Sequence, residues 1–230
     1  LILQQKVSSN KNKPSLQKIP LFRTTMSRLI FISIFSIVSA YVIYPWLCSL
    51  SASSRESKMK LPGDEIVENA TEGYTMGATI TASPSKVWPW LLQMGQGKGG
   101  FYTHEWVEDI FAADIHNADS ILPEFQALAP GDTVWLTPDP YLSKKGQHMI
   151  VALIDSPFAL VYKQVSPGGS IGTWAFFLQQ HSSNSTRLLF RRRGINPTTF
   201  DRISKPGYYF MDNGMLSGIK QRAELAMLPD

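Results

Sequence analysis

Between residues 133 and 193 the chain reads as a run of strands whose mostly short spacing favours antiparallel pairing. Segments 133–136, 149–155, 160–165, 172–180 and 186–193 have strand character, separated at Ser156-Pro157, at Pro167-Gly168-Gly169 and over 182–185 by turn signals. Parallel neighbours need a crossover of about a dozen residues or more, which the gaps after residue 149 do not offer. An earlier segment, 74–82, alternates Tyr74, Met76, Ala78, Ile80 and Ala82 with Thr75, Gly77, Thr79 and Thr81, a period of two. A sheet with an apolar face must bury it. The element able to cover it is a helix over 206–228, where Tyr208, Met211, Met215, Ile219, Ala223 and Ala226 form one stripe. Gly214 and Gly218 each cost that helix about 1 kcal/mol against Ala. Two such residues one turn apart point to close packing against something bulky. The expected class is α+β: a curved antiparallel sheet wrapped on a long C-terminal helix.

Ahead of the meander stands Val87-Trp-Pro-Trp-Leu-Leu-Gln-Met-Gly-Gln-Gly-Lys-Gly-Gly-Phe-Tyr102. Ser83 is a suitable N-cap, and Pro84 fits the first helical turn. Val87, Trp88, Leu91 and Leu92 recur at helical spacing, Pro89 bends the helix or marks its start, and Gly95 stops it. Phe101 and Tyr102 close a glycine-rich loop. Two readings stand: the rim of a cavity, or a helix end and tight turn with core aromatics. A phosphate loop is excluded, because this one follows a helix and lacks the Gly-Lys-Ser/Thr ending. Thr103 is placed to cap a second helix over 104–111, with Trp106, Ile110 and Phe111 on its apolar face. Residues 112–130 are irregular.

The N-terminal quarter is different. Residues 1–28 are polar and basic, and are expected to be disordered. Residues 29–47 carry no charge, come close to the roughly 20 apolar residues that span a bilayer, and end in Tyr41, Tyr44 and Trp46. That run exceeds the 7–15 residues of a signal-peptide core, and no small-x-small cleavage site follows, so an uncleaved single-pass anchor is expected. Cys48 lies in a poor context for a lipoprotein, and as the only cysteine it permits no intrachain disulfide. Six cations precede the span, which places the following domain outside the cytoplasm by the positive-inside rule. A start at Met26 would remove most of that bias. Residues 48–63 read as a linker and 64–230 as the folded domain. The formal net charge of +4 arises from the N-terminal arm, and the remainder is slightly acidic, so no nucleic-acid partner is expected.

Over residues 61–224 the layout resembles the START-like superfamily, also called SRPBCC or polyketide cyclase/dehydrase-like, with its helix-grip fold. The resemblance rests on Pro62-Gly-Asp64, the stretch 87–102, Asp114-Ile-His-Asn-Ala-Asp119, Gly131-Asp132, Thr173-Trp-Ala-Phe176 and Gly218-Ile-Lys220. It is nearest to a membrane-anchored subgroup of unassigned activity. The resemblance implies an apolar tunnel between sheet and terminal helix that holds lipids, polyketides or similar molecules. It implies no common catalytic set, cofactor or metal.

The expected ligand-binding residues are therefore Trp88, Phe101, Tyr102, Trp106, Trp174, Phe176, Phe190, Arg192, Tyr208, Met211 and Met215. Leu188, Phe190 and Arg192 share one face of their strand. Arg192 then either holds an acidic headgroup, pairs with an internal acid or sits at a solvated strand end. His104, Glu105, Asp109, Asp114, His116 and Asp119 form the densest polar cluster, read either as helix caps and loop partners or as an acid–base site. Three functions follow: a membrane-tethered binding or carrier protein for a hydrophobic or amphipathic small molecule, a cyclase or dehydratase using His104, Glu105, Asp114 and His116, or an anchored scaffold with a filled interior.

Overall fold

The computed structural model describes Ser33 and residues 50–110, 112–141, 145–165 and 171–226. The arm over 1–28 and nearly all of the expected anchor over 29–47 lie outside the described residues, and so does Phe111. Among the described residues no helix is long and apolar enough to cross a membrane. The fold below belongs to the unit beginning at Trp46.

Six antiparallel strands make one sheet: β1 (Glu72–Ile80), β2 (Thr133–Trp135), β3 (His148–Asp155), β4 (Ala159–Val165), β5 (Ile171–Ser182) and β6 (Ser185–Ile195). Their order is β1-β6-β5-β4-β3-β2, so the short-looped meander runs in sequence and β1 joins it beside β6. The β1–β6 register pairs Glu72 with Gly194 and Ile80 with Thr186. A register shift between Val151 and Leu153 places a bulge in β3, which adds bend to the sheet.

Among the residues from 50 onward that are described, the strands are accompanied by the α-helices α1 (Ser54–Lys58), α2 (Pro84–Leu92), α3 (Glu105–Ile110) and α4 (Thr199–Leu225). The terminal helix starts seven residues before the expected Pro206. A capping box sets its start: the Thr198 side chain accepts from the Asp201 amide, and the Asp201 carboxylate accepts from the Thr198 amide at 2.8 Å. Pro206 lies within exposed early turns, where its missing N–H is tolerated. Ser83 does occupy the N-cap position of α2, but its hydroxyl makes no capping bond and pairs with Ser85 at 2.9 Å.

The concave face of the sheet carries Met76, Ala78, Ile80, Phe176, Leu188 and Phe190. It buries these against Met215, Leu216, Ile219 and Ala223 of α4 and against Trp88, Trp90 and Leu91 of α2. This is the helix-grip arrangement, and alternation along the strands produces it, because every second side chain enters the same layer. Gly218 carries the closest approach: a β-carbon there would overlap the carbonyl of Tyr102, and one at Gly214 would lie 2.8 Å from His104. The bulky neighbour expected from those two glycines is therefore the loop leading into α3.

The convex face has its own cover. Leu61, with Met59 and Ile66, packs on Val161, Ala175, Phe177 and Leu189. Arg191 is 4% exposed and binds the Met59, Glu56 and Ser57 carbonyls and the Asp64 carboxylate. Arg187 holds Glu56 through two contacts of 2.7 and 3.0 Å, which lowers that carboxyl to about 2. Residues 50–63, expected as a linker, are thus part of the folded layer. The segment is held to β6 by its backbone carbonyls and the Glu56 carboxylate, which Arg187 and Arg191 bind.

Candidate functional site

At one end of the sheet the first residues of β1 and β5, the last of β6 and the early turns of α4 enclose a cavity of about 370 Å³. Gly172 and Gly194 pair across β5 and β6 at this end, and neither supplies a side chain to fill it. Its walls combine Phe101, Ile115, Leu136, Trp174, Met211 and Met215 with polar and charged side chains, among them Glu72, Glu108, Gln164, Arg192, Lys205 and Asp212.

One wall is charged but internally neutralised. Arg192 reaches Asp212 of α4 through two contacts, Nε to Oδ2 at 2.5 Å and Nη2 to Oδ1 at 2.8 Å. The Tyr74 hydroxyl donates to the same carboxylate at 2.5 Å. The guanidinium lies 4.0 Å over the Trp174 ring and 5.4 Å from Tyr208. Burial opposes the charge on Arg192, yet Asp212 and Tyr74 still hold its pKa above the usual value. Burial pushes the Tyr74 hydroxyl up, with Arg192 opposing, so it stays a proton donor. Arg192 faces the cavity, but its fork is taken by an internal acid.

The opposite wall carries Glu108 of α3, which is 5% exposed. Its Oε2 has no hydrogen-bond partner among the described residues. Burial, reinforced by Glu105 and Asp109, raises its carboxyl to about 7. This residue is absent from the polar cluster expected from the sequence. The available signal was its spacing of four from His104, the residue just before α3, which puts the two one turn apart on the same side.

A strained turn delivers these groups. Tyr102 has φ 58°, in the left-handed region. The side chain of Asn117 clamps it on both sides, accepting from the Tyr102 amide at 2.5 Å and donating to the Thr103 carbonyl at 3.0 Å. Gly100 makes room, since a β-carbon there would meet Asn117 Oδ1 at 2.6 Å. The turn sends Phe101 into the cavity and Tyr102 into the core, where its hydroxyl donates to the Trp90 carbonyl at 2.9 Å. The preceding glycines form a closed loop, with the Gly95 and Gly100 amides bonding each other's carbonyls at 2.9 and 3.1 Å.

Of the expected ligand-binding residues, Phe101, Trp174, Arg192, Tyr208, Met211 and Met215 line the cavity. Phe176 and Phe190 are fully buried beneath it, and Trp88 belongs to the core rather than to a rim. Trp106 is 60% exposed and Ile110 70% exposed, so the expected apolar face of α3 is turned outward. The reason lies in the loop geometry: the clamped turn points Glu108 inward, and Trp106 and Ile110, two residues to either side, face away. Phe200 and Ile203 on the first turns of α4 are also exposed. The expected acid–base cluster does not converge. Glu105 caps the Asn117 amide at 2.6 Å, and Asp114 pairs with His116 on the surface at 3.3 Å. His104 stacks on Phe210 at 4.6 Å, and burial lowers its pKa. Among the described residues no group of His, Cys, Asp and Glu is arranged to hold a metal ion.

No protein-family profile and no curated protein matches the chain in sequence. Solved structures do match in fold. Protein MLL2253 from Mesorhizobium loti is 15% identical, with 68% of this chain and 100% of that one covered at a TM-score of 0.46. The Aha1 dimer from Colwellia psychrerythraea is 15% identical, with 69% and 100% covered at 0.41. A truncated norcoclaurine synthase from Thalictrum flavum is 13% identical, with 69% and 95% covered at 0.42. These are helix-grip folds, and the likeness concerns the fold alone.

Proposed function

We propose that the domain binds a hydrophobic or amphipathic small molecule in the cavity between sheet and α4, and that residues 29–47 hold it at a membrane. The observation that carries the reading is the cavity itself. Its volume of about 370 Å³ lies within the range of roughly 300–1,000 Å³ typical of small-molecule pockets. Walls that join aromatic and aliphatic side chains to charged ones suit an amphiphile. Two methionines, Met211 and Met215, give the floor a surface that adapts to a ligand's shape. A scaffold with a filled interior would leave no such space. The enzyme reading based on His104, Glu105, Asp114 and His116 loses its support, because Glu105, Asp114 and His116 lie on the surface away from the cavity.

Two experiments test this. Native mass spectrometry of the detergent-purified full chain is expected to release a co-purified amphiphile, and octanol is expected to change tryptophan fluorescence saturably through Trp174. No bound molecule together with no saturable octanol response would leave the cavity without a ligand. For the anchor, carbonate extraction is expected to leave the full-length chain in the membrane fraction. Release of the intact chain would remove the anchor.

A further inference from the structure

The polar groups of the cavity do not balance. Arg192, the cation nearest its centre, is bound in two places by Asp212, and that carboxylate is also bound by Tyr74. The pair is charge-neutral and offers no net charge to a ligand. Lys205 is exposed on α4 at the mouth, and Asp201 beside it is occupied in the capping box. Arg193 turns away to the Val67 carbonyl at 3.0 Å. Glu72 also lines the cavity but is partly exposed, so the buried group that remains is Glu108, a carboxyl 5% exposed with one oxygen unpartnered among the described residues. A buried acid without a partner is costly, and a cation brought to it recovers that cost.

We propose that the cavity takes an amphipathic amine, its protonated nitrogen held by Glu108 and its hydrocarbon part lying against Phe101, Ile115, Leu136 and Met215. The inference rests on the cavity being a ligand site. An acidic amphiphile is the wrong partner, since the arginine that would meet it is already engaged and Glu108 repels it. The site thus selects by the charge of the headgroup. An ammonium group gives the carboxylate an opposite charge as well as hydrogen bonds, where an alcohol gives one hydrogen bond and no charge.

The test uses the full chain in non-ionic detergent with three probes of equal chain length: octylamine, octanol and octanoate. Binding is read by tryptophan fluorescence for the unaltered chain and for Glu108→Gln. Octylamine should bind roughly tenfold to a hundredfold more tightly than octanol, as expected for a charged headgroup against an uncharged one at a buried carboxylate. Octanoate should bind least. Glu108→Gln should abolish the preference for the amine over octanol, and a circular dichroism spectrum and cooperative melt like those of the unaltered chain show that the variant is folded. Octanol binding as tightly as octylamine, or an amine preference that survives in Glu108→Gln, overturns the proposal and leaves the pocket intact. Saturable binding of none of the three overturns the pocket and the amine together.

Discussion

Replacing Glu108 by Gln should stabilise the empty protein, and the gain should depend on pH in a defined direction. The carboxyl is raised from 4.5 to about 7, chiefly because burial penalises its charged form. The unfolded chain therefore releases the proton at lower pH than the folded one. Between these two values the folded state binds more protons, so stability falls as pH rises. Below about 4.5 both states are protonated and the residue costs nothing. Above about 7 both are ionised and the full difference applies, up to about 3 kcal/mol at 1.36 kcal/mol for each pH unit. Glu108→Gln keeps the shape and cannot ionise. Urea unfolding of the full chain and of the variant, followed by circular dichroism from pH 4.5 to 8.5, gives the difference at each pH. A constant offset would reflect only the altered hydrogen bonding of the amide. The expected signature is a difference growing by about 2–3 kcal/mol in favour of the variant as pH rises. A difference that stays flat across the range would show that Glu108 ionises freely in the folded state, and that its burial does not shape the cavity's electrostatics.

Three further outcomes are expected. Arg192→Met should destabilise the fold by about 3–5 kcal/mol because Asp212 is left buried and uncompensated, whereas Arg192→Met with Asp212→Leu should recover most of the loss; a double variant as unstable as the single would show that the pair is not coupled. Gly218→Ala should lose about 1–3 kcal/mol through overlap with the Tyr102 carbonyl, while Gly207→Ala, in open space on the same helix, should gain up to about 1 kcal/mol; equal effects in thermal melts would refute the close approach. Ile219→Asp should abolish the cooperative melt, since it buries an unpaired charge against the sheet, and an unchanged melt would show that α4 presents a different face.

Local patterns in the chain carried much of the architecture. Period-two alternation and short turn-rich gaps determined an antiparallel meander, because a strand's alternate side chains must lie on opposite faces. The stripe through Met215, Ile219 and Ala223 determined which side of α4 is buried, and the Gly214–Gly218 pair announced a close neighbour without naming it. The placement of Leu188, Phe190 and Arg192 on one face of β6 was legible for the same reason.

Tertiary structure decided what depends on residues far apart in the chain. Asp212 comes within hydrogen-bonding distance of Arg192 only when α4 closes on β6, so one of the alternatives open for that arginine could be selected only in the folded molecule. The same holds for residues 50–63, whose polar composition gives no sign of the carbonyls that Arg191 gathers from them. The orientation of α3 is the clearest case. Six residues with Trp106 and Ile110 on one side read as an amphipathic helix with those residues buried. The Asn117 clamp on Tyr102 instead turns Glu108 inward and the large apolar side chains out. A helix of that length is too short for its own hydrophobic pattern to outweigh the turn that holds it. Its facing, and with it the charge inside the cavity, is therefore set by contacts that the local pattern does not encode.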